Sequence, residues 1–130
     1  GPKVLLINKY SASDGDLFPW SFKANKIGKV IGTRTWGGIV GISGPLPYMD
    51  DTDVRVPFFT NFDAKTGQWI VENHGVDPDI LIDNDPIKEQ MGEDQQLNKA
   101  IEVIMQELKD RKPLPKVPAP RTFKDLGLKQ

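Results

Sequence analysis

The sequence predicts an α/β fold with a mixed sheet and two main helices, and three stretches carry that prediction. Val4-Leu5-Leu6-Ile7 is an unbroken apolar run of the kind that forms a strand buried on both faces. Leu17, Trp20 and residues 21–24 then recur near helical spacing, with Phe18 and Phe22 four apart. Toward the other end, Leu97, Ile101, Ile104, Met105 and Leu108 repeat at helical spacing within residues 94–112. Short apolar runs between the two helices supply the remaining strands.

Between the first strand and the first helix, residues 8–16 are rich in serine, aspartate and glycine, a composition suited to a turn and a helix cap. Pro19 belongs in a first helical turn, which sets the helix start near Asp14 to Asp16, and Gly28 closes the pattern. A small hydroxyl residue therefore stands at a helix start. Unpaired N–H groups and the positive end of the helix dipole favour an anion or a developing oxyanion there. Ser13 is the candidate nucleophile; it needs a base to take its proton and donors to stabilise the oxyanion it creates. The backbone N–H of Asp14 is one such donor. Ser13 or Asp14 as a plain helix cap explains the same residues, and the local pattern leaves both readings open.

Lys29-Val30-Ile31-Gly32 reads as a short strand, and residues 33–38 as a glycine turn. Gly37 and Gly38 supply either a tight turn with positive φ or a backbone wall that a peptide can approach closely. A phosphate loop is excluded, because no Gly-Lys-Ser/Thr follows at the required spacing. Residues 39–42 are a further strand and residues 43–53 a loop. Asp50, Asp51 and Asp53 lack the glycine and distal glutamate of a calcium loop and read as solvated. Residues 54–61 and 68–72 flank Asp63-Ala64-Lys65-Thr66-Gly67 as a hairpin. That places Glu72 at the end of its second arm, either as an exposed strand-end carboxylate or aimed at a site. A Ser13, His74, Glu72 triad is disfavoured. Residues two apart on a strand diverge, whereas the histidine of a triad lies between the other two groups.

Asp77-Pro78-Asp79 is a turn, Ile80-Leu81-Ile82 a short buried strand, and residues 84–92 a polar connection. Asp94 caps the last helix, and Lys109, Arg111 and Lys112 sit at its C-terminal end, where cations are favoured. Its methionine and leucine stripe reads as core packing. Four prolines between Pro113 and Pro120 forbid helix and favour an extended tail, along this protein's surface or across a neighbouring subunit.

At 130 residues the chain has a single-domain length. An apolar share of 38% and a charged share of 27% are those of a globular chain, and a net charge of −1 points to neither nucleic acid nor an anionic membrane. No apolar run reaches membrane-spanning length. The absence of cysteine excludes thiol catalysis and cysteine zinc sites, and a single histidine excludes a histidine-rich metal site.

Three separated motifs occur in one order: Ser13-Asp14-Gly15-Asp16 before an aromatic-rich helix; residues 28–38, ending Thr35-Trp36-Gly37-Gly38; and Glu72-Asn73-His74-Gly75-Val76-Asp77-Pro78-Asp79. Together they resemble the carboxyl-terminal part of the catalytic core of tricorn-type serine proteases, within the tail-specific, or C-terminal-processing, peptidases. The resemblance covers residues 3–110. It implies a fragment of the ClpP- or crotonase-like spiral core and a serine-type peptidase working through an acyl-enzyme. Ser13 is then the nucleophile, Asp14 the oxyanion N–H, Glu72 the carboxylate that orients the charge relay, and Gly37 and Gly38 a substrate-facing wall. Peptides or unfolded proteins are the implied substrate, a homo-oligomer the implied parent, and no metal or organic cofactor is implied. The family's base histidine, helper serine and second oxyanion glycine come from an earlier stretch of chain. Residues 1–112 are thus expected to be part of a larger catalytic domain and residues 113–130 its tail, with Gly1-Pro2 either native or a cleavage scar. A prokaryotic cytoplasmic or exported, periplasmic setting fits. A catalytically silent peptide-binding module on the same fold is the alternative.

Overall fold

The structure is a computed structural model that describes every residue except Pro45, Phe123, Lys124 and residues 128–130, and the backbone alone at Leu46, Pro47 and Asp53. In chain order the elements are β1 (Val4–Ile7), α1 (Asp14–Ala24), β2 (Lys29–Gly32), β3 (Gly41–Ile42), β4 (Leu46–Pro47), β5 (Asp53–Val54), β6 (Pro57–Phe59), β7 (Ile80–Leu81), α2 (Pro86–Gln90) and α3 (Gln95–Lys109).

β1, β2 and β7 form a parallel sheet in that order, with Leu5 opposite Val30 and Ile31 opposite Ile80. Parallel neighbours cannot be joined by a tight turn, so α1 serves as the crossover from β1 to β2. Phe22 of α1 packs with Ile7, Val30 and Leu5 on one face. Ile31, the next residue along β2, points to the other face and is also fully buried; α3 lies against β1 and β2 there. At the head of β2, Gly28 passes so close to the Lys3 carbonyl that a Cβ could not be accommodated.

Several expectations based on burial need correction. β1 is covered only in part on its α3 face, where Leu6 is 39% exposed, and Leu81 of β7 is 74% exposed. Only the central strand of a three-stranded sheet has neighbours on both sides, and β1 and β7 are its edges. The apolar stripe of α3 is not core either: Leu97, Ile101, Met105 and Leu108 are all exposed, and Ala100 is the residue buried against the sheet. Pro19 falls in the second turn of α1, not the first, so the helix forgoes one N–H there. The expected polar connection at 84–92 contains α2, because the Asp85 carboxylate accepts the Ile87 and Lys88 N–H groups and Pro86 opens the helix. Asp94 caps α3 as expected, accepting the Leu97 N–H at 2.9 Å.

Residues 41–69 form an arm of two small antiparallel pairs, β3 with β6 and β4 with β5. The expected long hairpin shrinks to one bridge between Phe62 and Trp69 and a bond from the Asp63 N–H to the Gln68 carbonyl. Val54 instead pairs with Leu46, inside the segment expected to be loop.

Candidate active site

The sharpest feature of the backbone is at Ser13. It holds φ 57° and ψ −112°, a left-handed conformation that non-glycine residues rarely adopt. The Gly15 N–H donates to the Ala12 carbonyl at 2.8 Å, closing a four-residue turn with Ser13 at its first central position. Those angles are close to the values, about +60° and −120°, of the first central residue in a type II′ turn, where glycine is the usual occupant. The chain thus leaves β1, turns sharply at an exposed serine and enters α1. Strain on the order of 1–3 kcal/mol at such a residue persists only when its surroundings impose it.

Asp16 is the group that imposes it. Its side chain is wholly buried, and it accepts the Ser13 N–H at 2.9 Å, the Gly37 N–H at 2.8 Å and the Gly38 N–H at 3.2 Å. Ser13 and Asp16 have the spacing of a capping box: the Asp16 carboxylate accepts the Ser13 N–H, and the Asp16 N–H donates to the Ser13 carbonyl at 2.8 Å. Gly15 and Asp16 therefore both spend their N–H groups on the turn. Asp14 N–H, at the first helical position, has no partner among the described residues.

The 35–40 segment is held from both sides. Thr35 N–H donates to the Val76 carbonyl, Trp36 N–H to the Ser11 carbonyl, and Gly37 and Gly38 N–H to Asp16. Ile39 and Val40 N–H both donate to Glu72 Oε2, at 2.6 and 3.0 Å, which draws them out of the strand expected there. At Gly37, φ is 86° and a Cβ would overlap the backbone of His74 and Gly75. The room this glycine leaves is filled by the chain's own turn, and any ligand contact at Gly37 or Gly38 must use a carbonyl or Cα, since both N–H groups are engaged.

Glu72 does not end a hairpin arm. It sits in a tight turn where Val71 has φ 63° and the Glu72 N–H reaches back to the Ile70 carbonyl, a γ-turn of the rare strained hand. Asn73 N–H then donates to the Gly37 carbonyl at 2.7 Å. The strained turns at Ser13 and Val71 thus grip opposite ends of one segment, through Asp16 and Glu72. Glu72 Oε1 has no hydrogen-bond partner among the described residues, and a shallow hollow lined by Val40, Thr60, Trp69, Glu72 and Asn73 opens beside it. His74 is directed elsewhere: its Nε2 lies 2.7 Å from Asp77 Oδ2, with both side chains exposed. Among the described residues no cluster of acidic or histidine side chains has the makings of a metal site, and Asp50 Oδ1 is engaged by Thr52.

Residues 1–82 match the model of peptidase family S41. The chain belongs to that family. The tricorn protease of Thermoplasma volcanium is 44% identical to this S41 chain over 112 residues, covering 86% of this chain and 11% of that protein. Tricorn protease homolog 1 of Streptomyces coelicolor is 40% identical over 110 residues, covering 85% and 10%. The S41 chain therefore spans about a tenth of the length of the curated relatives it matches. Among solved structures it superposes on a crystal structure of the tricorn protease with a TM-score of 0.77 at 42% identity, over 84% of this chain and 11% of that one. A mutant of CPAF shares the fold at 21% identity, with a TM-score of 0.60 over 89% of this chain and 22% of that one.

In the sequence Asp16 stands out only as a boundary of the helix. A signal was present in the Ser-x-x-Asp spacing before an apolar helix, which places a carboxylate three residues after a cap. Nothing in the sequence revealed that the same carboxylate would reach Gly37 and Gly38, more than twenty residues on.

Proposed function

We propose that this chain carries the nucleophile side of a serine-type peptidase site in a longer S41 protein, on part of a ClpP- or crotonase-like spiral core. The single observation that carries the reading is the conformation of Ser13: an exposed serine held at positive φ between a strand and a helix. A mere cap needs no such strain, and backbone strain of this kind concentrates at functional sites. The same observation favours an enzyme over a silent peptide-binding module.

Ser13 Oγ attacks the carbonyl carbon of a peptide bond. The carbonyl π pair moves onto oxygen, and the unpartnered Asp14 N–H, at the positive end of α1, lies on the same turn to receive that charge. The proton leaving Oγ passes to a base and then to the departing amine as the C–N bond breaks. Water repeats the sequence on the acyl-enzyme, releasing a carboxylic acid and restoring the serine hydroxyl. The base comes from outside this chain: the family resemblance places it on an earlier stretch, and His74, the one histidine here, makes no hydrogen bond to Ser13 among the described residues. Glu72 holds the 39–40 backbone with Oε2 and has Oε1 left to orient that relay.

The test uses the full-length protein with peptide substrates. Ser13→Ala should lower turnover by a factor on the order of a million, the loss typical of a missing nucleophile. A fluorophosphonate should label Ser13 alone. Retained turnover in Ser13→Ala, or labelling at Ser11, would refute the assignment.

A further inference from the structure

We propose that Asp16 is the positioning residue of the Ser13 site, acting through backbone N–H groups and touching neither substrate nor reacting atoms. The inference rests on the reading of Ser13 as nucleophile and adds the element that keeps it in attacking geometry. Three observations converge. Asp16 is among the most completely buried side chains of the molecule, at 0% exposure, although an aspartate so placed is unusual without partners. Its two oxygens accept three N–H groups, from Ser13, Gly37 and Gly38. The first of these belongs to the strained residue itself.

The geometry explains what the carboxylate does. The direction of the Asp14 N–H is set by the peptide plane between Ser13 and Asp14, and hence by the ψ of Ser13. The Ser13 carbonyl of that plane accepts the Asp16 and Leu17 N–H groups, and the preceding Ala12–Ser13 plane is clamped at both edges, by the Gly15 N–H on the Ala12 carbonyl and by Asp16 Oδ2 on the Ser13 N–H. Removing the Asp16 contact leaves the Gly15–Ala12 bond alone to hold that plane against relaxation of Ser13 to negative φ, which would swing Oγ and the Asp14 N–H apart. Through Oδ1 the same side chain fixes Gly37, so the serine turn and the 36–38 segment keep one spacing.

Asparagine discriminates this role from bulk stability. It is nearly isosteric, but it presents one acceptor oxygen and one donor NH2. With the oxygen at the Oδ2 position it satisfies Ser13 and Gly38 and sets its NH2 against the Gly37 N–H. With the oxygen at Oδ1 it opposes both others. The first orientation releases Gly37 from the serine turn and the second releases the Ser13 N–H itself, and both nearly preserve the packing.

In the full-length protein, Asp16→Asn should reduce kcat, and the rate constant for fluorophosphonate labelling of Ser13, by about ten- to a hundredfold, the scale of a misplacement near 1 Å. KM should stay within about threefold, since uniform binding is untouched. A purely structural role would lower the fraction of enzyme that can be labelled and leave the rate constant alone. Labelling of Asp16→Asn at the wild-type rate therefore overturns the proposal while the nucleophile assignment survives. Labelling of the wild type at another serine overturns both. Amide exchange on the wild-type protein supplies a test that does not depend on the variant folding. The N–H groups of Ser13, Gly37 and Gly38 should exchange as slowly as those of β2, and fast exchange at Ser13 would show that no clamp exists.

Discussion

The parallel sheet and the 41–69 arm both carry many large apolar side chains, and the two regions use them in opposite ways. In the sheet, Val30 and Ile31 are wholly enclosed between α1 and α3. In the arm, Phe58 is 78% exposed, Trp69 73%, and Phe59 and Phe62 are more than half exposed. The arm's aromatic contacts are local edge-on pairs, Phe58 with Phe59 and Phe62 with Trp69, at centroid distances of 6.2 and 6.3 Å. The polar groups differ in the same sense. Around the sheet, side chains reach far along the sequence: Asp16 to Gly37, Glu72 to Ile39, Asp79 to Val30. In the arm they reach two or three residues: Asp50 to Thr52, Asp63 to Lys65 and Thr66. Non-glycine backbone at positive φ occurs in both regions, at Ser13 and Val71 beside the long-range carboxylates and at Asp51 in the arm.

The largest expected effect that sharpens this contrast is in the sheet. Ile31→Ala removes a fully buried side chain from the central strand and should cost about 2–5 kcal/mol, the usual range for an isoleucine emptied from a core. Chemical denaturation of the 130-residue chain measures it. A loss below about 1 kcal/mol, no more than an ordinary surface change gives, would mean that the sheet is as loosely covered as the arm.

A smaller effect is expected at Asp79, one of the long-range carboxylates. Burial pushes its carboxyl up, but the Val30 N–H bond and the nearby ammonium groups of Lys23 and Lys29 outweigh burial and leave it below its ordinary value. A carboxylate depressed in the folded state adds stability that is present above the unfolded value near 3.9 and is lost as pH falls through the folded one. Asp79→Asn should therefore cost about 1 kcal/mol at pH 7, the scale of one lost hydrogen bond. The gap between variant and wild type should narrow as pH falls below about 4. Thermal melts at pH 7 and pH 3 measure it, and a gap that stays constant with pH would show that Asp79 acts by shape and not by charge.

What the sequence made legible follows the same division. The strand, turn and helix of residues 4–24 were readable because local signals agree there: an apolar run, a cluster of turn formers and a helical period. The proposed site residues Ser13 and Asp14 come from that local pattern together with the family resemblance. Burial was read less well, because periodicity shows which residues share a face without showing whether anything covers it. Leu81, Leu97, Ile101 and Met105 look like core in sequence and lie open in this chain. The cross-links were invisible for another reason. Asp16 to Gly37 and Glu72 to Ile39 span twenty-one and thirty-three residues, and a carboxylate carries no mark of the N–H it will meet. Glu72 looks like a strand end because Trp69 and Val71 alternate with Ile70 and Glu72 as the two faces of a strand would; the left-handed backbone at Val71, unfavourable for a β-branched residue, breaks that strand.

The smallest expected effect is in the arm, and it is the most direct way to break the contrast. Phe58→Ser removes a large aromatic side chain that is 78% exposed and whose aromatic partner is its own neighbour in the chain. Little apolar area leaves water-excluded surroundings, so the change in stability should stay within about 0.5 kcal/mol, as for surface substitutions generally. Denaturation of the 130-residue chain alongside Ile31→Ala gives the comparison on one scale. A loss approaching that of Ile31→Ala would show the arm to be packed and the contrast false. In the full-length protein the same substitution answers a second question. Exposed apolar surface of this extent commonly marks a contact face, and a loss there of more than about 1 kcal/mol, against none in the isolated chain, would measure how much of that face the rest of the protein covers.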